Sequence, residues 1–296
     1  MLERDLPLAS APVVPAVSLD ACYRQCGEIA HAHSKTFSLS ARFLAPEKRR
    51  AVWAVYAFCR TADDIVDRAG DPAERLRAID AWDAEVRAAY DGHATHPVTI
   101  ALCDAASRFA IPLDAALDLL RGARTDITVN RYETFAELLD YCYLVASTVG
   151  VMVTPILGSI DRSALEYAIA LGRAMQLTNV LRDVGEDAGM NRIYLPAEEM
   201  RRFGYTEADL FAGVVNERFA DLMRFQIARA RELYRAAEPG IRLLQPESRY
   251  AVRLALHLYR GILGAIEANG YDVYTKRAHV STRAKILTAL ALGFTH

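Results

Sequence analysis

Ala51-Val-Trp-Ala-Val-Tyr56-Ala-Phe-Cys-Arg60-Thr-Ala-Asp63-Asp64-Ile-Val-Asp67 is apolar nearly all round until its charged end, the pattern of a buried helix. The polar residues within it share a stripe: Tyr56, Arg60, Asp63 and Asp67 fall at steps of four, three and four, while Asp64 points about 100° away. Like charges one helical turn apart repel by roughly a few tenths of a kcal/mol. A hard divalent cation compensates that repulsion economically, since Mg²⁺ takes oxygen ligands, keeps several waters and bridges one or two carboxylates to a substrate phosphate. An internal ion pair between Arg60 and Asp63 at the end of a core helix, with Asp67 in solvent, accounts for this segment equally well.

A second stretch shifts that balance. In Asn179-Val-Leu-Arg182-Asp183-Val-Gly185-Glu186-Asp187, an amide oxygen and two carboxylates recur at steps of four on one helical face. Upstream lie Leu171, Met175 and Leu177, not the charges of a solvated acidic face. Gly185 costs a helix about 1 kcal/mol relative to alanine, tolerable where the backbone approaches another element or the helix ends. Two such faces imply a diphosphate held between helices. Arg60, Arg182 and Lys35 adjoin these motifs and supply cations for phosphate oxygens. Tyr56, Tyr141, Tyr143 and Tyr259 offer aromatic faces to a carbocation, or are simply core residues.

Nearly every other segment also reads as helix, with apolar residues three and four apart, so the fold expected is a single-domain all-α bundle. Helix starts are marked by Asp71-Pro72-Ala-Glu74, Thr134-Phe-Ala-Glu137, Ser163-Ala-Leu-Glu166 and Thr206-Glu-Ala-Asp209, while Gly240 and Gly270 close two helices. Pro155 predicts a kink in the apolar helix between Thr134 and Gly158. Residues 1–17, interrupted by Pro7, Pro12 and Pro15, read as a disordered tail before a domain spanning 18–296. No run reaches the ~18 to 20 apolar residues that span a bilayer, and Ile286 to Phe294 is expected to pack on the core as a terminal helix. A net charge of −2 argues against nucleic acid. The odd set Cys22, Cys26, Cys59, Cys103 and Cys142, with no Cys-x-x-Cys, fits a reducing cytoplasm.

Five motifs, in order, go beyond composition: His33-Ser-Lys-Thr-Phe37, Tyr56-Ala-Phe-Cys-Arg60-x-x-Asp-Asp-x-x-Asp67, Tyr141-Cys-Tyr-x-Val-Ala-x-Thr-Val-Gly150, Gln176-Leu-Thr-Asn-Val-Leu-Arg-Asp-Val-Gly-Glu-Asp187 and Arg192-Ile-Tyr-Leu-Pro196. From about Cys22 to Arg277 the chain resembles the squalene and phytoene synthases. That resemblance implies an isoprenoid synthase helical bundle with a central active-site cavity and a head-to-head prenyl condensation. It makes Asp63, Asp67, Asn179, Asp183 and Asp187 ligands of Mg²⁺, three ions being usual, with Mn²⁺ as a substitute. It makes Ser34, Lys35, Arg60, Arg182 and Arg277 diphosphate contacts, and sets Tyr56, Arg60, Tyr141, Gln176 and Tyr259 around the reacting carbons. Residues 188–194, with Gly189 and Asn191, are either a cover over the site or an ordinary exposed loop.

Small residues at Ser38, Ser40 and Ala41 leave room for a long tail, and the motifs look most like those of the bacterial phytoene-forming members. The expected reaction joins two geranylgeranyl diphosphates through a cyclopropyl diphosphate to phytoene, without NADPH, in carotenoid biosynthesis. A C30 synthase using two farnesyl diphosphates (dehydrosqualene, presqualene diphosphate or squalene) is the alternative, and a non-catalytic assembly protein of the same fold is a third. Expected partners are prenyl diphosphates, a transiently touched membrane surface and downstream carotenoid enzymes, in the cytoplasm or peripherally at the membrane.

Overall fold

The computed structural model describes residues 18–68 and 70–293, and the expected tail through residue 17 lies outside the described residues. Among the described residues there is no β-strand, only the isolated bridges Arg131–Ile193 and Ser159–Leu244. The helices are α1 (Leu19–His33), α2 (Lys35–Ala41), α3 (Pro46–Val66), α4 (Pro72–Ala88), α5 (Pro97–Phe109), α6 (Leu113–Thr128), α7 (Phe135–Cys142) and α8 (Thr148–Leu157). They continue with α9 (Ala164–Arg182), α10 (Val184–Gly189), α11 (Ala197–Arg202), α12 (Glu207–Phe211), α13 (Glu217–Ala237), α14 (Pro246–Ala268) and α15 (Thr282–Gly293).

Local sequence accounts for most of the boundaries. Thr134 and Thr206 close reciprocal capping boxes with Glu137 and Asp209, and Asp71 accepts from the Ala73 amide at 3.0 Å. Ser163 does not cap α9 with its side chain; its amide and hydroxyl both donate to Asp161 Oδ1 at 2.7 Å. Gly270 follows α14 at φ +65°, a left-handed conformation that glycine adopts without a Cβ penalty. Gly240 closes no helix: it lies in the 3₁₀ turn Glu238–Leu243, where a Cβ would stand 2.1 Å from Tyr167 Cβ. Close packing, not a turn, requires that glycine.

Two apolar clusters form the core. One joins α1, α3, α5, α6 and α8; the other gathers α9, α13 and α14 with the shorter helices between residues 184 and 211. The unit Phe135–Leu157, in which a π-helical turn at Tyr143–Ser147 joins α7 to α8, runs between them and packs on α3, α6 and α9. The irregularity in this helix is the π turn, not a kink at Pro155, where it was expected; Pro155 sits in the last turn of α8. By length and composition Phe135–Leu157 is apolar enough to cross a membrane, which corrects the expectation that no run is; here it is a central helix of the bundle. It meets α9 almost backbone to backbone. A Cβ on Gly172 would lie 2.5 Å from Ser147 Cα, and Ser147 Oγ donates to the Ile169 carbonyl at 2.8 Å. The terminal helix corrects another expectation, since α15 rests on α14 yet has no buried residue.

Candidate functional site

The apolar faces of α3, α8 and α9 enclose one cavity of about 600 Å³. That volume is in the roughly 300–1,000 Å³ range of small-molecule sites. Val52 and Val55 line it from the start of α3 and Asp63 and Asp67 from its end; eleven residues separate Val52 from Asp63, about 16 Å along a helix. α9 repeats the arrangement, from Ala164 and Ala168 to Asn179 and Asp183. The cavity therefore has an apolar body and a carboxylate-rich end.

Both acidic motifs sit where helices stop. Asp67 is the C-cap of α3 and Asp183 the C-cap of α9, so each adds an anion to the negative end of a helix dipole. The sequence carried one helix through Asp187; the structure ends α9 at Arg182 and starts α10 at Val184. Gly185 lies at this break, where a Cβ would meet Tyr274 Cα at 2.8 Å and the Val273 carbonyl oxygen at 2.9 Å. Backbone approach and helix ending both explain that glycine.

Crowding of carboxylates shows in their acidity. Asp63 opens to the cavity's water but is walled by protein; burial, then Asp67, Asp126 and Asp64, push its pKa up to about 7 against the opposing pull of Arg60. Burial and Asp183 raise Asp187 to about 7. The cations are shared among the anions. Arg182 Nε donates to Asp183 Oδ1 at 2.8 Å, Arg277 Nη2 reaches the same oxygen at 3.1 Å, and Arg192 approaches Asp67 at 3.5 Å. Arg60 pairs with Asp64, one turn on, and not with Asp63. Asn179 Nδ2 donates to Gln176 Oε1 at 3.2 Å, leaving its buried Oδ1 without a partner.

That orphaned oxygen and the crowded carboxylates fit a hard divalent cation. Among the described residues no three carboxylates, histidines or thiols converge to chelate one ion alone. Mg²⁺ does not require such a cage, being held by one or two carboxylates with phosphate and water. Asp63, Asp67, Asn179, Asp183 and Asp187 line one cavity together with Tyr56, Arg60, Tyr141, Gln176, Arg182 and Tyr259. Ser34, Lys35 and Arg277 are not on that wall. Ser34 caps α2 by accepting from the Phe37 amide at 3.2 Å, Lys35 begins α2, and Arg277 stands at the rim with its side chain 59 % exposed.

Three residues on the cavity wall lay outside the sequence-derived set. Asp126, from the last turn of α6, accepts from Tyr194 Oη at 2.8 Å and Tyr141 Oη at 3.1 Å, and the two rings stack at 5.1 Å. Burial raises Asp126 to about 6 despite those donors and Arg192. Arg192 and Tyr194 had a sequence signal in Arg192-Ile-Tyr-Leu-Pro196; Asp126 had none. Residues 188–194 are pinned: Arg131 donates to the Asn191 carbonyl at 2.8 Å, and Ile193 N donates to the Asn130 carbonyl at 2.9 Å.

The squalene/phytoene synthase family profile matches residues 30–284. A phytoene synthase of Arthrospira platensis is 44% identical, covering 95% of this chain and 96% of its own. A 15-cis-phytoene synthase of Synechococcus elongatus is 40% identical over 94% of each chain. The crystal structure of a dehydrosqualene synthase with bound ligand superposes with a TM-score of 0.87 at 32% identity, covering 93% of this chain and 96% of that one. With matching sequence, fold and site, the chain belongs to the squalene/phytoene synthase family.

Proposed function

We infer that this protein is a prenyltransferase that joins two geranylgeranyl diphosphates head to head (1-1′), through a cyclopropyl (prephytoene) diphosphate, to phytoene, releasing diphosphate, in carotenoid biosynthesis. The observation that carries the reading is a single cavity joining an apolar body to two facing acidic helix ends, in a chain more than two-fifths identical to a phytoene synthase over nearly its whole length. Asp63, Asp67, Asn179, Asp183 and Asp187 hold Mg²⁺, which neutralises the departing diphosphate when bound. Arg60, Arg182 and Arg277, with Ser34 and Lys35 beyond the wall, hold diphosphate oxygens. NADPH has no part in this reaction.

The surrounding side chains are kept from trapping a carbocation. Burial and Asp126 raise the Tyr141 phenol well above its usual pKa, so it stays neutral, its proton directed at Asp126 and its ring left to the cavity. Burial and Asp63 raise the Cys59 thiol in the same wall, so it is not a thiolate. Tyr56, stacked on Phe37 at 4.6 Å, and Tyr259 and Gln176 complete the region facing the reacting carbons. Apolar walls exclude water that would quench the cation. An apolar substrate and a hydrocarbon product place the enzyme at the surface of a membrane, within reach of the enzymes that consume phytoene.

The likeness to a dehydrosqualene synthase keeps one second reading, a C30 product from two farnesyl diphosphates. Purified protein with Mg²⁺ and no NADPH, given each diphosphate separately, decides between them. A C40 product from geranylgeranyl diphosphate is expected; turnover of farnesyl diphosphate alone overturns the assignment. Asp183→Asn should fold and lose turnover, and full activity would refute the ligand role of Asp183.

A further inference from the structure

The helix α15 turns three large aliphatic side chains to solvent. Ala284, Lys285, Thr288, Ala289 and Leu292 are its partly buried residues, whereas Arg283, Ile286, Leu287 and Leu290 face outward. Ile286, Leu287 and Leu290 are 55, 67 and 54 % exposed. Spacings of three, four and seven from Arg283 place all three on one stripe, the stripe a water-facing helix fills with polar residues. Phe43, 45 % exposed, extends the patch: its ring meets Tyr250 edge-on at 4.6 Å, and Tyr250 Oη donates to the Ala289 carbonyl at 2.6 Å. Patches of clustered, exposed aliphatic and aromatic side chains mark protein or membrane contacts.

The position of the patch narrows the partner. Phe43 lies two residues past the end of α2, whose Ser40 and Ala41 line the cavity, and Ala251, Val252 and Ala255 line it from α14, on which α2 and α15 both pack. The patch therefore stands outside the α2–α14 wall of the substrate cavity. Its charge narrows the partner further. Residues 34–45 and 276–293 hold Lys35, Arg42, Lys276, Arg277, Arg283 and Lys285 and no Asp or Glu, in a chain of net charge −2. Among the described residues only Arg277 of these six is in an ion pair. A two-fold contact between copies would set this basic face against itself. An anionic bilayer satisfies both features, taking aliphatic side chains into its interface and drawing lysine and arginine to its headgroups.

We propose that α15 and Phe43 form a docking face for an anionic lipid bilayer, seating the α2–α14 wall of the cavity on the membrane from which prenyl tails enter and into which hydrocarbon leaves. The purpose given to the docking rests on the prenyl substrate inferred above; the docking itself does not.

Co-sedimentation of the full chain with vesicles of phosphatidylcholine, alone or mixed with phosphatidylglycerol, tests it. Binding to the mixed vesicles that weakens with added salt is expected. Ile286→Gln with Leu287→Gln should lower partitioning at least about tenfold. Phe43→Gln, on a separate segment, and Arg283→Glu should each lower it severalfold. Turnover of detergent-dispersed geranylgeranyl diphosphate should stay unchanged in all three, which also shows that they fold. Equal binding by wild type and variants, no binding of the wild type to either vesicle, or a wild-type dimer that these substitutions dissociate would each overturn the docking face. If wild-type vesicle binding behaves as expected but no prenyl diphosphate is turned over, the substrate reading fails and the docking face stands.

Discussion

Raising the pH from 6 to 8 without divalent metal should destabilise this protein, and metal should abolish the effect. Asp63 and Asp187 titrate at about 7 in the folded chain. An unfolded aspartate titrates at about 3.9. Across this interval the folded state therefore holds protons that the unfolded chain has already released, and linkage makes stability fall as the pH rises through the folded pKa. A carboxyl passing from mostly protonated at pH 6 to mostly ionised at pH 8 loses a tenfold factor, ~1.4 kcal/mol. Asp187 is partly buried and takes that value; Asp63 is open to the cavity's water, whose screening leaves roughly half. Together they cost about 2 kcal/mol, or roughly 4 to 8 °C in melting temperature.

Other groups titrate nearby, so the comparison must be differential. Asp126, raised to about 6, adds a smaller loss of the same sign. His96 has its pKa lowered by burial, so its contribution disappears as the pH falls through the unfolded value and runs the other way. Urea unfolding of wild type and Asp187→Asn, in EDTA at both pH values, cancels these terms. Wild type should lose about 1.4 kcal/mol more than the variant on going to pH 8. Saturating Mg²⁺ should flatten the wild-type slope, because the cation binds the ionised carboxylates. Equal slopes in the two proteins, or a slope untouched by metal, would refute the account of crowded, cation-seeking carboxylates.

Asp126→Asn removes the charged acceptor of two phenols, bonds worth about 1.5 to 3 kcal/mol each, and should lower kcat at least tenfold in single-turnover assays; an unchanged kcat would make Asp126 merely structural. Ala41→Phe fills part of the cavity wall and should lower kcat/KM for the C20 donor at least about tenfold relative to the C15 donor, and a constant ratio would remove Ala41 from the tail's path. Gly172→Ala drives a Cβ into the Ser147 backbone, which cannot rotate away, and should cost about 1 to 3 kcal/mol in urea unfolding; a loss below 0.5 kcal/mol would mean that α9 shifts freely.

The acidic stripes were legible in the sequence because helical period alone decides which side chains share a face, and Tyr56, Arg60, Asp63 and Asp67 do line one cavity. Where the helices stop was not legible, since Asp183 ends α9 through a backbone contact between Gly185 and Tyr274, a residue some ninety positions away. Asp126 was invisible for the same reason: a lone aspartate in the last turn of α6 means little until Tyr141 and Tyr194 are brought to it. Composition misread α15 as well, because apolar content does not say which face of a helix finds a neighbour. These misses share a cause in long-range contact, and one of them changes the chemistry. Had Asp183 continued a straight helix, its charge would lie along the flank of the dipole; as a C-cap, like Asp67, it adds to the dipole's negative end. Two helix termini and their carboxylates thus concentrate negative potential at one end of an otherwise apolar cavity. The same arrangement that holds the protons of Asp63 and Asp187 near neutrality gives an arriving cation and diphosphate their place.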